Sequence, residues 1–456
     1  MATDPNTSSG DPDAAGNGRA RPVHGHGREA VRQRKPNLVK LLFKKLGPGL
    51  VTGASDDDPS GIGTYAVAGA QLGYASLWTA LVTFPLMAAV QFICAKIGLV
   101  SGRGIAGVLQ RHYSRKLLYA VVLGLLVANT INAGADLLAI AAGLNLLIPV
   151  PVTAVIGPVA LLILVVQVWG SYRLLAKIFK WLTLSLFAYI GASFLAKPKW
   201  ADVFRGTLLP TLRFDSTFLA MLVAILGTTI SPYLFFWQAS QEVEEEISRG
   251  RKRLWQRRGA TDGELGYAAW DVSVGMFLSN IVMYFIILGT AATLHHQAGR
   301  THIASAAEAA EALRPLAGDA ATVLMALGLI GTGILAVPIL TGSAAYAVCE
   351  TFGWKCSLDA KPAQAKEFYL VLGAATVGGL LINFTGISPI DALFWTAVIN
   401  GFFAPLLLLV IMLIANNKDV MGGRVNGLGM NVLGWITVAV MFAAAVGLIL
   451  TWGQVS

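Results

Sequence analysis

Runs of about 20 apolar residues recur along almost the whole chain, each long enough to cross a hydrocarbon core of about 30 Å. Hydrophobic residues fill 55% of the 456 positions and charged residues only 13%, against about 25% in a soluble domain. Such a chain cannot face water on all sides. Its runs are continuous and rich in Leu, Ala, Val and Gly rather than alternating, so the spans are helices and not the strands of a barrel. The expected class is an all-α polytopic membrane protein. About eleven spans are predicted, over 47–72, 76–100, 116–148, 152–170, 173–196, 217–246, 265–297, 319–350, 366–386, 390–416 and 430–452.

Two of these spans carry helix breakers. The first is interrupted at Asp58-Pro59-Ser60-Gly61, inside the segment SDDDPSGIG. Proline lacks an N–H and clashes with the preceding turn, and glycine lets the chain leave helical geometry. The sixth span is interrupted in the same way, from Gly227 to Pro232 in LGTTISPYLFF. Broken helices at matching places in two halves are the sequence sign of an inverted-repeat transporter with its site at the membrane midplane. A lone proline kink would be an ordinary structural feature, but a pair carrying acids calls for a cation. Asp58 beside freed backbone carbonyls is a set of hard oxygen donors, suited to a small inorganic ion such as Mg²⁺, Ca²⁺ or Mn²⁺.

The rest of the chain sets the topology. Residues 1–36 are polar, without periodicity, and read as a disordered tail; 37–456 form the transporter domain. His24 and His26 lie in that tail, where a floppy pair makes a poor metal site. The basic run RQRKPNLVKLLFKK precedes the first span. Arg103, Arg111, Arg115 and Lys116, then Arg173 and Lys177, then SRGRKRLWQRR, fall in alternate loops. The positive-inside rule then puts the N-terminus in the cytoplasm and the C-terminus outside, in a plasma or bacterial inner membrane. The net charge of +9 is accounted for by those loops and does not call for nucleic acid. EVEEEI beside the basic loop reads as a solvated helix end paired with its arginines. Cys94, Cys349 and Cys356 are too few and scattered for a disulfide framework or zinc site, and read as free thiols. No catalytic constellation is present; His295 and His296 are adjacent rather than at ligand spacing on a helix face.

The segments GPGLVTGASDDDPSG, AGAQLGY, QFICAKIGLVSGRGIA, AAGLNLLIP and NNKDVMGGRVNGLGMNVLGW resemble, in order, those of the NRAMP metal-ion transporters. The resemblance implies the LeuT-type fold, with helices one to five and six to ten as inverted repeats and an eleventh added. It also implies a metal transporter, with no cofactor beyond the transported ion. The family's first-helix motif, Asp-Pro-Gly-Asn, stands here as Asp58-Pro59-Ser60-Gly61, so the Asp ligand is kept and the Asn ligand is Gly61. The sixth-helix motif, Ala-Thr-x-Met-Pro-His, stands here as Thr228-Thr229-Ile230-Ser231-Pro232-Tyr233. The carbonyl ligand falls on Thr228 and the methionine becomes Ser231.

Loss of a soft thioether gives up the preference for transition metals, and Gly and Ser leave a roomier pocket. A partly hydrated Mg²⁺ would suit it, with Ser60, Thr229 and Ser231 bonding its water and Asp56 and Asp57 strengthening the negative field. The pattern resembles the NRAMP-related magnesium transporters. The family's proton-linked third-helix acids align with Ala133 and Asp136, and its histidine with Gln238, which implies uncoupled, potential-driven uptake of Mg²⁺, and also of Mn²⁺. Asp136 could equally be a buried structural acid; Asn400 lines the pathway or bonds a neighbouring helix. A proton-coupled Mn²⁺/Fe²⁺ importer, a trivalent-ion carrier, a LeuT-fold carrier of an organic substrate and a non-transporting sensor remain the competing readings. The sequence does not set the oligomeric state; a monomer would suffice.

Overall fold

The structure is a computed structural model and describes residues 47–169, 187–299, 301–303, 305–358 and 360–451. The tail, with His24 and His26, the basic run before the first span, and Arg173 and Lys177 lie outside the described residues. Among the described residues every regular element is helical. The fifth predicted span, 173–196, is described only over its last part.

The first span forms as two helices, α1 (Pro48–Asp56) and α2 (Pro59–Leu72). Then follow α3 (Trp78–Ser101), α4 (Ile105–His112), α5 (Arg115–Leu147), α6 (Val152–Trp169), α7 (Ala188–Leu195) and α8 (Trp200–Leu208). The sixth span is also double, α9 (Ser216–Thr229) and α10 (Pro232–Ser248). The series closes with α11 (Asp262–Thr290), α12 (Ala321–Phe352), α13 (Lys366–Ile382), α14 (Pro389–Asn416) and α15 (Leu428–Thr451). By length and composition, eight helices or helix pairs among the described residues can cross a membrane. The two halves of the first span are each too short to do so alone. α13 has only 17 residues, close to the lower limit of about 17 for a span. The amphipathic α4 and α8 lie in segments expected to be loops, and the seventh span runs on into a π-helical turn over Ala291–Gln297.

The two breaks share one backbone solution. Asp57 and Asp58 have φ/ψ of −84/50° and −67/167°, and Pro59 opens α2. Ile230 and Ser231 have −112/62° and −81/130°, and Pro232 opens α10. A proline forces its predecessor into extended geometry and is well placed as the first residue of a helix. The breaks therefore fall just before the prolines, at Asp57-Asp58 and Ile230-Ser231. This corrects the wider interruptions expected from the sequence: Ser60 and Gly61 already belong to α2, and Gly227 to Thr229 still belong to α9.

Small residues bring α1 against α11. A Cβ built on Gly53 would lie 2.3 Å from the Gly275 backbone, and one on Gly275 would lie 2.4 Å from the Gly49 carbonyl oxygen. Only glycine allows so close a crossing, which is how small residues pack helices in lipid. α9 meets α14 through Gly227 and Gly401 in the same manner. Lys96, buried in α3, donates to the Val425 carbonyl (3.0 Å) and to Asn426 Oδ1 (3.1 Å), tying the loop before α15 to the core. All three cysteines are free thiols, and Cys94 and Cys349 are buried.

Candidate metal-ion site

A proline opening a helix leaves the carbonyl four residues earlier without its usual N–H partner. At the first break that carbonyl belongs to Ser55, and at the second to Thr228. The hydroxyl of Tyr233, in the first turn of α10, donates to the Ser55 carbonyl at 2.7 Å. The hydroxyl of Ser231 donates to the Thr228 carbonyl at 2.5 Å and makes a longer contact of 3.2 Å to Gly227. The two interruptions thus cross-brace, with α10 satisfying α1.

Asp58 caps α2. Its Oδ1 accepts from the Gly61 N–H and the Ser60 hydroxyl, both at 2.7 Å. Its Oδ2 has only longer contacts, from Asn132 Nδ2 at 3.3 Å and Tyr233 Oη at 3.4 Å. One oxygen is committed to its own helix and the other faces the space between helices. Across that space the Ser60 and Thr228 hydroxyls stand 3.4 Å apart. A Cβ on Gly61 would be 3.3 Å from each of Thr228 Oγ1, the Asp56 carbonyl oxygen and the Tyr65 ring. Gly61 offers an ion no side chain; a Cβ there would press on all three neighbours, and what the residue contributes is an amide that fixes Asp58.

The neighbouring acids are turned elsewhere. Ser279 of α11 donates to Asp56 Oδ2 (2.7 Å) and to Asp57 Oδ1 (3.0 Å). Thr229 directs its hydroxyl to the Ile225 carbonyl of its own helix at 2.7 Å. Asp136 is fully buried; its carboxylate makes no close hydrogen bond and has only the Ser60 backbone N–H as a weak donor. Asn400 is buried on α14 with its Nδ2 unpaired, so the helix–helix hydrogen bond considered for it is not made by that atom. Gln238 accepts from the Thr52 hydroxyl (2.5 Å) and donates to Glu242 (2.9 Å).

Asp56, Asp57, Asp58 and Asp136 are exposed by 0, 6, 1 and 0% respectively. Among the described residues none of the four has a basic side chain within ion-pairing distance. Uncompensated negative charge at bilayer depth is costly and needs a cation or protons. Among the described residues no three His, Cys, Asp or Glu side chains converge as a ready metal cage. The break therefore offers one carboxylate oxygen, hydroxyls and a carbonyl, all hard donors, rather than a closed ligand shell.

Four polar residues here were not anticipated. Asn132 belongs to a stripe with Asn129 and Asp136, spaced three and four apart on one face of an otherwise apolar helix. Asp271, Gly275 and Ser279 repeat at four on α11, and Asp271 caps α1 by accepting from the Gly49 N–H at 2.7 Å. The sequence places Glu242 in the solvated run EVEEEI, and the structure corrects this by burying it beside Gln238. Glu242 and Glu246 are 5% and 2% exposed. Glu246 pairs with Arg251 and, with Glu245, with Arg249.

Two interrupted spans that brace each other around buried, unpaired acids, inside an all-helical bundle, define a membrane transporter of the LeuT type rather than an enzyme. A family description, Natural resistance-associated macrophage protein-like (Nramp), matches residues 49–451. The chain belongs to the Nramp family, a family of metal-ion transporters. It is 26% identical over 421 residues to the divalent metal cation transporter MntH of Klebsiella pneumoniae (strain 342), covering 91% of this chain and 95% of that one. In fold it resembles the manganese transporter of Eremococcus coleocola, solved with an aromatic bis-isothiourea compound. The TM-score is 0.68 at 17% identity, over 91% of this chain and 87% of the other. It also resembles inward-facing Mhp1, with a TM-score of 0.51 at 13% identity over 90% and 92%.

Proposed function

We propose that this protein carries Mg²⁺, and also Mn²⁺, inward across the cell membrane, without proton coupling. The ion sits partly hydrated between Asp58 Oδ2 and the Thr228 carbonyl. The observation that carries the reading is the donor set at the breaks. Asp58 Oδ2 has only long contacts, from Asn132 and Tyr233, Gly61 offers no ligand side chain, and Ser231 puts a hydroxyl where the family has sulfur. Hard oxygens without a sulfur ligand suit an ion that sheds water reluctantly. Ser60 and Ser231 then serve as partners for its water. Asp56 and Asp57, held by Ser279, act through the field, and Thr229 contributes through its lone pairs alone. A divalent ion moving inward down about 100 mV gains roughly 4.6 kcal/mol, about 2.3 per charge, so the membrane potential can drive accumulation. In this reading the N-terminus is cytoplasmic, residues 1–36 are an appended tail, and the C-terminus is outside.

The name of the Eremococcus coleocola manganese transporter favours Mn²⁺ as a cargo, and that of the MntH relative a divalent metal cation. Two buried carboxylates, Asp136 and Glu242, support the second reading, a proton-coupled Mn²⁺ or Fe²⁺ symporter. The binding claim is tested by Asp58→Ala in proteoliposomes. Mg²⁺ uptake should be lost while the purified protein keeps its elution profile, and uptake at near wild-type rate would place the site elsewhere.

A further inference from the structure

Asn132 lies on α5, outside both broken spans, and is fully buried. Its amide orientation is fixed by chemistry: facing the Asp58 carboxylate at 3.3 Å, it must present its N–H group there. Its Oδ1 is then turned away from Asp58, and it has no hydrogen-bond partner. A buried amide oxygen left unpaired costs free energy that a native structure normally avoids. One turn further along the same face, the Asp136 carboxylate is also buried without a close hydrogen bond, the Ser60 N–H being a weak donor to it.

On the other side of the site the opposite has happened. The side-chain amide expected in the first span is absent at Gly61, and no sulfur stands at Ser231. Acceptors without partners thus stand on α5 beside a site whose α2 and α10 residues offer neither an amide nor a sulfur ligand. An ion that keeps part of its water shell presents hydrogens, not charge alone, to its surroundings, and each such hydrogen needs an acceptor.

We propose that Asn132 is a specificity-determining residue, whose Oδ1 accepts a hydrogen bond from water retained on the transported ion. The amide absent at Gly61 is thereby supplied from α5, with Asn132 meeting the ion through its water. This rests on the transport reading above, but adds a distinct claim: Asn132 discriminates between ions by the water they keep. A residue that merely orients Asp58 would treat all divalent ions alike.

The test is uptake by the full-length protein in proteoliposomes with Mg²⁺, Mn²⁺ and Cd²⁺, comparing wild type with Asn132→Ala and with Asn132→Leu, which keeps the volume. A lost hydrogen bond to an ion-polarised water should raise the KM for Mg²⁺ roughly tenfold or more. The KM for Cd²⁺, which sheds water easily, should move less than about twofold. Both variants should show the same selectivity change, so a folding defect in one does not decide the outcome. A parallel rise for all three ions would overturn the proposal and leave Asn132 as a prop for Asp58; an unchanged KM for Mg²⁺ would overturn it as well. If the wild type carries Mn²⁺ but not Mg²⁺, the magnesium reading fails. The Asn132 claim is then decided by Mn²⁺ against Cd²⁺, supported by a rise confined to Mn²⁺ and overturned by a parallel one.

Discussion

Replacing Tyr233 by Phe removes one oxygen from the junction of the two broken spans. The ring is 1% exposed and Phe keeps its packing, so no cavity is created. What is lost is the 2.7 Å bond to the Ser55 carbonyl and the 3.4 Å contact to Asp58. Ser55 has no intrahelical alternative, because Pro59 stands where the N–H should be. An acceptor stranded in a buried site costs about 1–3 kcal/mol. In a purified sample this should lower the midpoint of thermal unfolding by a few degrees. Thr229→Val is the matched control. The Thr229 hydroxyl bonds a carbonyl of its own helix at 2.7 Å, so its loss should leave the midpoint within about a degree of wild type. Equal effects from the two substitutions would refute the claim that Tyr233 is what makes the first break tolerable. Mg²⁺ affinity should change only a few-fold in Tyr233→Phe, since the Asp58 contact is long.

The double variant Gly61→Asn with Ser231→Met restores the family's ligand types and narrows the pocket. Mg²⁺ transport should weaken and Mn²⁺ or Cd²⁺ binding should tighten in calorimetry, and unchanged Mg²⁺ transport would show that these two positions do not set selectivity. Gly275→Leu drives a side chain into the Gly49 backbone, where even a Cβ would sit at 2.4 Å. It should separate α1 from α11 and abolish a monodisperse elution profile, and a well-folded variant would contradict the described crossing. Glu242→Gln keeps the bond to Gln238 while removing a titratable group. Current during Mg²⁺ uptake should be unaffected, and a change in the ratio of charge to Mg²⁺ would make Glu242 a participant in coupling.

The architecture was legible because its signals are long-range in sequence but simple in kind. Apolar runs of about 20 residues fix the spans, and a proline within a span fixes where it parts. The location of the parting was blurred because the breakers Ser60 and Gly61 follow the proline. Local propensity does not tell whether such residues end one helix or begin the next. Asp58 was legible as a charge at depth. Its partners were not, since Asn132 and Ser279 reach it and its neighbours from helices that read as uniformly apolar. Their signal, polar residues three or four apart on one face, is faint beside the hydropathy of α5 and α11. Glu242 was missed because a run of four glutamates reads as solvated, whereas one turn of helix is enough to bury the first of them beside Gln238.

In the proposed function Mg²⁺ enters driven by potential alone, because Ala133 and Gln238 cannot titrate where the resemblance would place a proton relay. The most direct measurement is Mg²⁺ uptake into proteoliposomes under a set membrane potential, with internal pH and current recorded together. The account predicts uptake that rises with inside-negative potential, carries two charges per ion, and leaves internal pH unchanged. Proton entry in step with Mg²⁺ at a fixed ratio, or uptake of Mn²⁺ with none of Mg²⁺, would contradict it.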